Sequence, residues 1–161
     1  MLPITLRPAQ PQDESFLYEL YCSTRQEELA LWGWDAAQAA AFLQLQFRAQ
    51  QQHYQTQFAQ ATYQIICSAD QPIGRLILAS TDQELRLADI ALLPAYRNAG
   101  IGTTLIGDLL TAAAQTGRPV RLHVEAHNRA RRLYERLGFT VIEATGPYYL
   151  MEKPPPIVSP L

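Results

Sequence analysis

The stretch Asp89-Ile-Ala-Leu-Leu-Pro-Ala-Tyr-Arg-Asn-Ala-Gly-Ile-Gly102 decides how the rest of the chain is read. It opens at the end of an alternating segment, 84–92, and Pro94 stops that strand because proline lacks the N–H a ladder needs. Gly100 and Gly102 follow, and then a helix whose Leu105, Ile106, Leu109, Leu110 and Ala113 form one apolar stripe, closed by Gly117. Glycines at 100 and 102 let backbone N–H groups turn toward one point without Cβ interference. Those donors lie at a helix N-terminus, where unsatisfied amides and the helix dipole favour an anion. Arg97 adds a guanidinium three residues earlier. The combination is a cradle for phosphate or pyrophosphate.

Downstream of this helix, 119–125 reads as a strand. Asn128 starts a last helix, with Ala130, Leu133, Tyr134 and Leu137 at i, i+3, i+4 and i+7. Gly138 sits in the position that ends a helix in the left-handed conformation, and 139–144 and 148–152 read as final strands. Upstream the period is two: 62–67, 73–79 and 84–92 are strands joined by turns at 70–72 and 81–83, which implies an antiparallel meander. Before them come a strand over 3–8, a helix capped by Gln12 or Asp13 with Phe16, Leu17, Leu20 and Tyr21 on one face, and a break at 31–35. Asp35 stands where an N-cap belongs, ahead of a helix with Phe42, Leu43, Phe47 and Tyr54 on one side. The glutamines crowded between 38 and 64 are interrupted by aromatics at helical spacing, so they read as a solvated helix face rather than a disordered tract. The order β-α-α-β-β-β-α-β-α-β-β predicts a mixed α/β fold with right-handed crossovers in its second half. Residues 1–153 are expected to form a single domain and 154–161 a proline-rich, disordered tail.

Composition narrows the function. A chain of 161 residues is long enough for one full core. A net charge of −2 argues against binding nucleic acid through bulk positive charge. Cys22 and Cys67 cannot build a disulfide framework, and no Cys/His group has zinc-ligand spacing, so no metal is expected. The N-terminal residues lack an apolar signal core and no long apolar run occurs, which predicts a cytoplasmic protein with no membrane partner. A homodimer is compatible with the sequence.

Three kinds of cradle fit glycines before a helix. A P-loop needs lysine and serine or threonine after its glycines, and here Gly102 is followed by Thr103 and Thr104. A dinucleotide fingerprint places its glycines directly after the strand, whereas 93–99 intervene here, and position 105 is leucine, not a third glycine. The third is the Arg-x-x-Gly-x-Gly loop of an acyl-coenzyme A binder. With Ile90-Ala-Leu-Leu-Pro94, Arg97-Asn-Ala-Gly-Ile-Gly102 and Leu122-His-Val-Glu-Ala-His-Asn-Arg-Ala-Arg-Arg-Leu-Tyr-Glu-Arg-Leu-Gly-Phe139 in that order, residues 84–139 resemble the core of the GNAT family of N-acetyltransferases. The N-terminal half matches only in its order of elements.

The resemblance implies a central, twisted, mostly antiparallel sheet flanked by helices, with one splayed parallel strand pair, 84–92 and 119–125. It implies acetyl-CoA as cofactor, its pyrophosphate held by backbone N–H groups of Gly100, Ile101, Gly102 and Thr103 with the Arg97–Asn98 region. The main chain of Ile90 and Leu92 would bind the pantetheine arm, and Leu92 N–H would polarise the thioester carbonyl. Asn128 matches the family's asparagine on the cofactor arm; an N-cap role is its structural alternative. Tyr134 matches the family's tyrosine, a proton donor to the departing thiolate, with plain packing in the apolar stripe as the alternative.

Direct attack needs a neutral amine, so a base is useful. Strand alternation puts Arg121, His123 and Glu125 on one face. His123, Glu125 and Asp89 are the three candidates, each with a cross-strand polar contact as its alternative. Among Arg129, Arg131, Arg132 and Arg136, Arg131 or Arg132 is the candidate for the 3′-phosphate, with a solvated face as the alternative and nucleic acid disfavoured. The segment holding Glu27, Glu28, Trp32, Trp34 and Asp35, with Tyr148 and Tyr149, offers aromatics and carboxylates to an organic cation, and Trp32, Trp34 and Glu28 are the acceptor candidates. The same residues also suit a hydrophobic plug between helix ends. A small amine is favoured over a protein as acceptor. A non-catalytic acyl-CoA binding or sensing module is the alternative function.

Overall fold

The computed structural model describes residues 3–156, so the expected tail lies outside the described residues from 157 onward. The elements are β1 (Ile4–Pro8), α1 (Glu14–Trp32), α2 (Ala36–Gln57), β2 (Thr62–Ser68), β3 (Gln71–Ser80), β4 (Leu85–Leu92), α3 (Ile101–Gln115), β5 (Val120–Glu125), α4 (Ala130–Arg136), β6 (Thr140–Thr145) and β7 (Tyr148–Lys153). Short 3₁₀ turns at Pro11–Asp13 and Pro94–Tyr96 precede α1 and follow β4. The strands form one seven-stranded sheet in the order β1-β2-β3-β4-β5-β7-β6. It is a mixed α/β fold, mostly antiparallel, with β4 and β5 as its parallel pair. The parallel register runs only over Leu85–Leu87 against Val120–Leu122.

Three local expectations are corrected. The β2–β3 connection is two residues, not a turn over 70–72: Ala69 and Asp70 both take positive φ (47° and 69°), the conformation of a tight two-residue hairpin. Pro72 therefore lies inside β3. Asp13 occupies the N-cap position of α1 but makes no cap bond. Its two carboxylate oxygens take hydrogen bonds from Arg7 Nη1 and Nη2, each 2.8 Å, and Gln10 N–H donates to one of them at 2.7 Å. The helix expected from Asn128 begins at Ala130, with Arg129 in its N-cap position; the Asn128 side chain, one residue earlier, accepts from Ala130 N–H at 2.9 Å. Asp35 caps α2 as expected, accepting from Gln38 N–H at 2.7 Å.

The chain divides into two compact units. The first comprises residues 1–76 and 90–97. Its core joins Leu17 and Tyr21 of α1, Leu43 and Phe47 of α2, and Ile65 and Cys67 of β2. The Tyr18 and Tyr21 rings meet Phe47 at centroid distances of 5.4 and 5.9 Å. The second comprises 77–89 and 98–161. It buries Ile106, Leu109 and Ala113 of α3, Val120, Leu122 and Val124 of β5, Tyr134 of α4, Phe139, and Met151 of β7. These are the stripe of α3 and one alternating face of β5 that the periodicity predicts. Gly138 ends α4 at φ 97°, where a side chain would also meet Lys153 Nζ at 2.8 Å.

Candidate active site

In the first unit, the C-terminal end of β4 passes unusually close to β3. A Cβ built on Gly74 would fall well inside van der Waals distance of the Ala91 carbonyl oxygen and 2.9 Å from Leu92 Cδ2. Glycine in a strand interior marks such an approach of another backbone. The Leu92 carbonyl accepts Arg97 Nε–H at 2.9 Å, and Leu93 N–H donates to the Ile73 carbonyl at 2.8 Å. Arg97 Nη2 also reaches Ser23 Oγ at 3.4 Å. Arg97, expected beside the pyrophosphate, thus has its Nε engaged by the strand it follows.

In the second unit, the turn into α3 is built by Asn98 (φ 61°) and Gly100 (φ 84°). Asparagine and glycine are the residues that tolerate this left-handed region. Gly100 is the N-cap and supplies no side-chain acceptor, and the first intrahelical bond runs from Thr104 N–H to Gly100 O at 3.0 Å. The amides of Ile101, Gly102 and Thr103 therefore lead the helix with no capping side chain across them. A Cβ on Gly102 would find Leu133 Cδ2 at 4.0 Å. This bare helix start is chemically suited to a pyrophosphate.

Asn128 closes the β5–α4 turn: its N–H donates to the Glu125 carbonyl at 3.0 Å and its carbonyl accepts Arg131 N–H at 3.1 Å. Next to it lies a recess of about 540 Å³ lined by His127, Asn128, Arg129, Arg131, Arg132 and Glu135. Arg131 is anchored within this region. Its Nε donates to Glu135 Oε1 at 2.8 Å, its Nη1 to the Ala126 carbonyl at 3.3 Å, and its guanidinium lies 4.8 Å from the Tyr149 ring centroid.

Tyr134 is 7% exposed and packs edge-on against Phe139, with centroids 5.8 Å apart. Burial, and then the negative charge of Asp89, push its phenol up to about 12. The group is therefore a protonated donor at neutral pH. Asp89 and Tyr134 are the pair of expected site residues that this electrostatic coupling brings together.

His123 is placed differently. Arg86 Nη1 lies 3.1 Å from its Nδ1. A guanidinium only donates, so Nδ1 is the acceptor and the ring proton sits on Nε2. Burial and the Arg86 charge, opposed by Glu143 and Glu84, lower the His123 pKa below its ordinary value. Around it runs a ladder of ion pairs: Arg86 with Glu84 at 2.7 Å, Arg121 with Glu152 at 2.7 Å, and Arg121 with Glu84 at 3.6 Å. Glu125 is exposed at the end of β5, opposite Tyr148 in register.

Trp32 and Trp34 flank Gly33, which ends α1 at φ 66°. Their rings are 5.2 Å apart and meet Phe42 of α2 at 5.6 and 5.1 Å. Both tryptophans remain exposed, at 44% and 42%. Glu28 is held by Arg25 Nε at 2.8 Å, and the Arg25 guanidinium lies over Phe42 at 5.6 Å. The signals missed in the sequence are Gly74, Arg25 and Arg86; Tyr149, expected at the acceptor pocket, instead stacks under the Arg131 guanidinium. Only Gly74 had a readable cue, a glycine inside an alternating apolar strand.

Among the described residues no group of three or more His, Cys, Asp or Glu side chains is placed to hold a metal ion, and no helix is long and apolar enough to cross a membrane.

Comparison with known proteins identifies the class to which this sheet, with its glycine-led helix and buried phenol, belongs. Residues 15–139 match the model of the Acetyltransferase (GNAT) family, and the chain belongs to that family. The family is one of acetyltransferases. The chain is 36% identical over 81 residues, half of its length, to the [ribosomal protein bS18]-alanine N-acetyltransferase of Haemophilus influenzae. That match spans 56% of the relative's length. The fold is similar to that of PaiA N-acetyltransferase from Thermoplasma acidophilum, solved in complex with coenzyme A (TM-score 0.71, 19% identity, 95% of this chain and 99% of that one). It is also similar to the ribosomal-protein-S18-alanine N-acetyltransferase of Escherichia coli (TM-score 0.63, 19% identity, 98% and 97%).

Proposed function

We propose that the protein transfers the acetyl group of acetyl-CoA to a primary amine by direct attack, and that it works in the cytoplasm. The amine nitrogen bonds to the acetyl carbon, the carbon–sulfur bond breaks, and the ammonium proton leaves to solvent or a base. Acetyl-CoA supplies the activated acyl group and a thiolate leaving group. The amides of Gly100, Ile101, Gly102 and Thr103, reached through the Asn98 turn, and the recess at Asn128 and Arg131 hold its phosphates and arm, and the Ile90–Leu92 main chain holds the pantetheine. Leu92 N–H donates to the carbonyl oxygen where charge develops. Tyr134 Oη carries the proton that the sulfur receives. The observation that supports this reading is the buried Tyr134 phenol, packed on Phe139 on the helix that follows β5, together with the uncapped start of α3. The exposed Trp32–Trp34 pair near Glu28 supports recognition of an organic amine.

A second reading of the acceptor, a peptide N-terminal amine, is favoured by the match to an enzyme named for ribosomal-protein alanine. The engagement of His123 with Arg86 supports it. An α-amine, with a pKa of about 7.7–8.0, is substantially neutral near pH 7.5 without a base, whereas a lysine amine near 10.4 is only about 0.1% neutral. A panel of small amines, free lysine and alanine-initiated peptides, assayed by release of coenzyme A thiol, tests both readings. Thiol release with no member of the panel would leave a non-catalytic acyl-CoA binder.

A further inference from the structure

We infer that Gly74 and Arg97 are positioning residues that aim the Leu92 amide, an inference resting on the acetyl-transfer reading above. Three contacts fix the two peptide units flanking Leu92. The Ala91 carbonyl oxygen lies over Gly74, where a Cβ would stand inside its van der Waals radius. The Leu92 carbonyl is held by Arg97 Nε at 2.9 Å, and the N–H of that same peptide, on Leu93, is held by Ile73 O at 2.8 Å. No peptide bond among the described residues is cis. In a planar trans peptide the C=O and N–H point in opposite directions. With the Ala91 carbonyl turned onto Gly74, the Leu92 N–H must point away from β3. Two hydrogen bonds hold the Leu92–Leu93 peptide on one side, and on the other the Ala91 carbonyl sits in the space that Gly74 leaves open.

An amide pre-aimed in this way costs no reorganisation when charge develops on a carbonyl oxygen. Gly74 supplies the space into which the Ala91 oxygen turns. Arg97 supplies the clamp, and its Nε–H is committed to Leu92 rather than free for an anion. This divides the basic residue from the helix start: the amides of 101–103 take the phosphate charge, while Arg97 acts through Leu92.

The test compares wild type with Arg97→Ala, Arg97→Lys and Gly74→Ala. Three quantities are read: the Kd of coenzyme A by calorimetry, kcat and KM with the best amine, and the Leu92 amide proton shift on titration with acetyl-CoA. Positioning predicts that Arg97→Ala lowers kcat about 10- to 100-fold while Kd stays within about threefold. The acetyl-CoA-induced shift of the Leu92 amide shrinks in parallel. Arg97→Lys, which keeps the charge but moves the donor one bond beyond Nε, fails to restore kcat. A Kd weakened in proportion to the activity, restored by lysine, would make Arg97 a phosphate ligand and overturn the inference. Gly74→Ala is expected to show the same split; where it fails to fold, the two Arg97 variants decide. Should wild type acetylate no amine, the acetyl-transfer reading fails. The Leu92 shift then judges the positioning alone: a response equal in wild type and Arg97→Ala refutes it.

Discussion

Tyr134 links stability to its proposed chemistry through one proton. The folded phenol holds its proton to about 12, while the unfolded side chain releases it near 10. A group whose folded pKa is raised contributes stability that is complete below the unfolded value and is lost as pH climbs through the folded one. The window is therefore pH 10 to 12. Two units correspond to about 2.7 kcal/mol over the full window, and to about 1.4 kcal/mol by pH 11. Tyr134→Phe keeps the ring that packs on Phe139 and removes only the titrating group. Urea unfolding of wild type and Tyr134→Phe at pH 8 and pH 11 isolates the effect, because the other tyrosines and both cysteines cancel in the difference. Wild type should lose about 1.4 kcal/mol more than the variant between these pH values. A gap between the two proteins that is the same at both pH values would refute the raised pKa of the buried phenol.

Three further outcomes are expected. Tyr134→Phe should lower thiol release at pH 7.5 at least tenfold, with coenzyme A affinity unchanged by calorimetry. Gly100→Glu puts a side chain at φ 84° and a negative charge at the α3 N-terminus, and should abolish the rise in melting temperature caused by acetyl-CoA. Asp35→Ala should cost about 1 kcal/mol in urea unfolding through loss of the α2 cap, and Asp35→Ser should recover most of it.

The order of elements was legible because it rests on short-range signals. The stripe Leu105, Ile106, Leu109 and Ala113, the alternation through 119–125, and the Asp35 cap each depend on residues within a few positions of one another. The helix start at Gly100 was legible for the same reason. Partnerships across the fold were not. Asp13 has the sequence position of a helix cap, but Arg7 on β1 takes its carboxylate, and nothing local marks that pairing. His123 shares a strand face with Glu125 as expected, yet its neighbour is decided by β4, which sets Arg86 beside Arg121 in register. Gly74 shows the limit most clearly. Its glycine is required by a carbonyl 17 residues away in sequence, and only the approach of β4 reveals it.

The anchoring of Arg131 bears on how this protein can be re-engineered. One guanidinium joins the Ala126 carbonyl, Glu135 and the Tyr149 ring, so the shape of the turn holding Asn128 is encoded by residues outside it. Transplanting 126–129 from another family member would import a sequence without its template. A functional graft has to carry Arg131, Glu135 and Tyr149 as one unit, and lysine is no substitute for an arginine that bonds through two nitrogens while stacking on a ring.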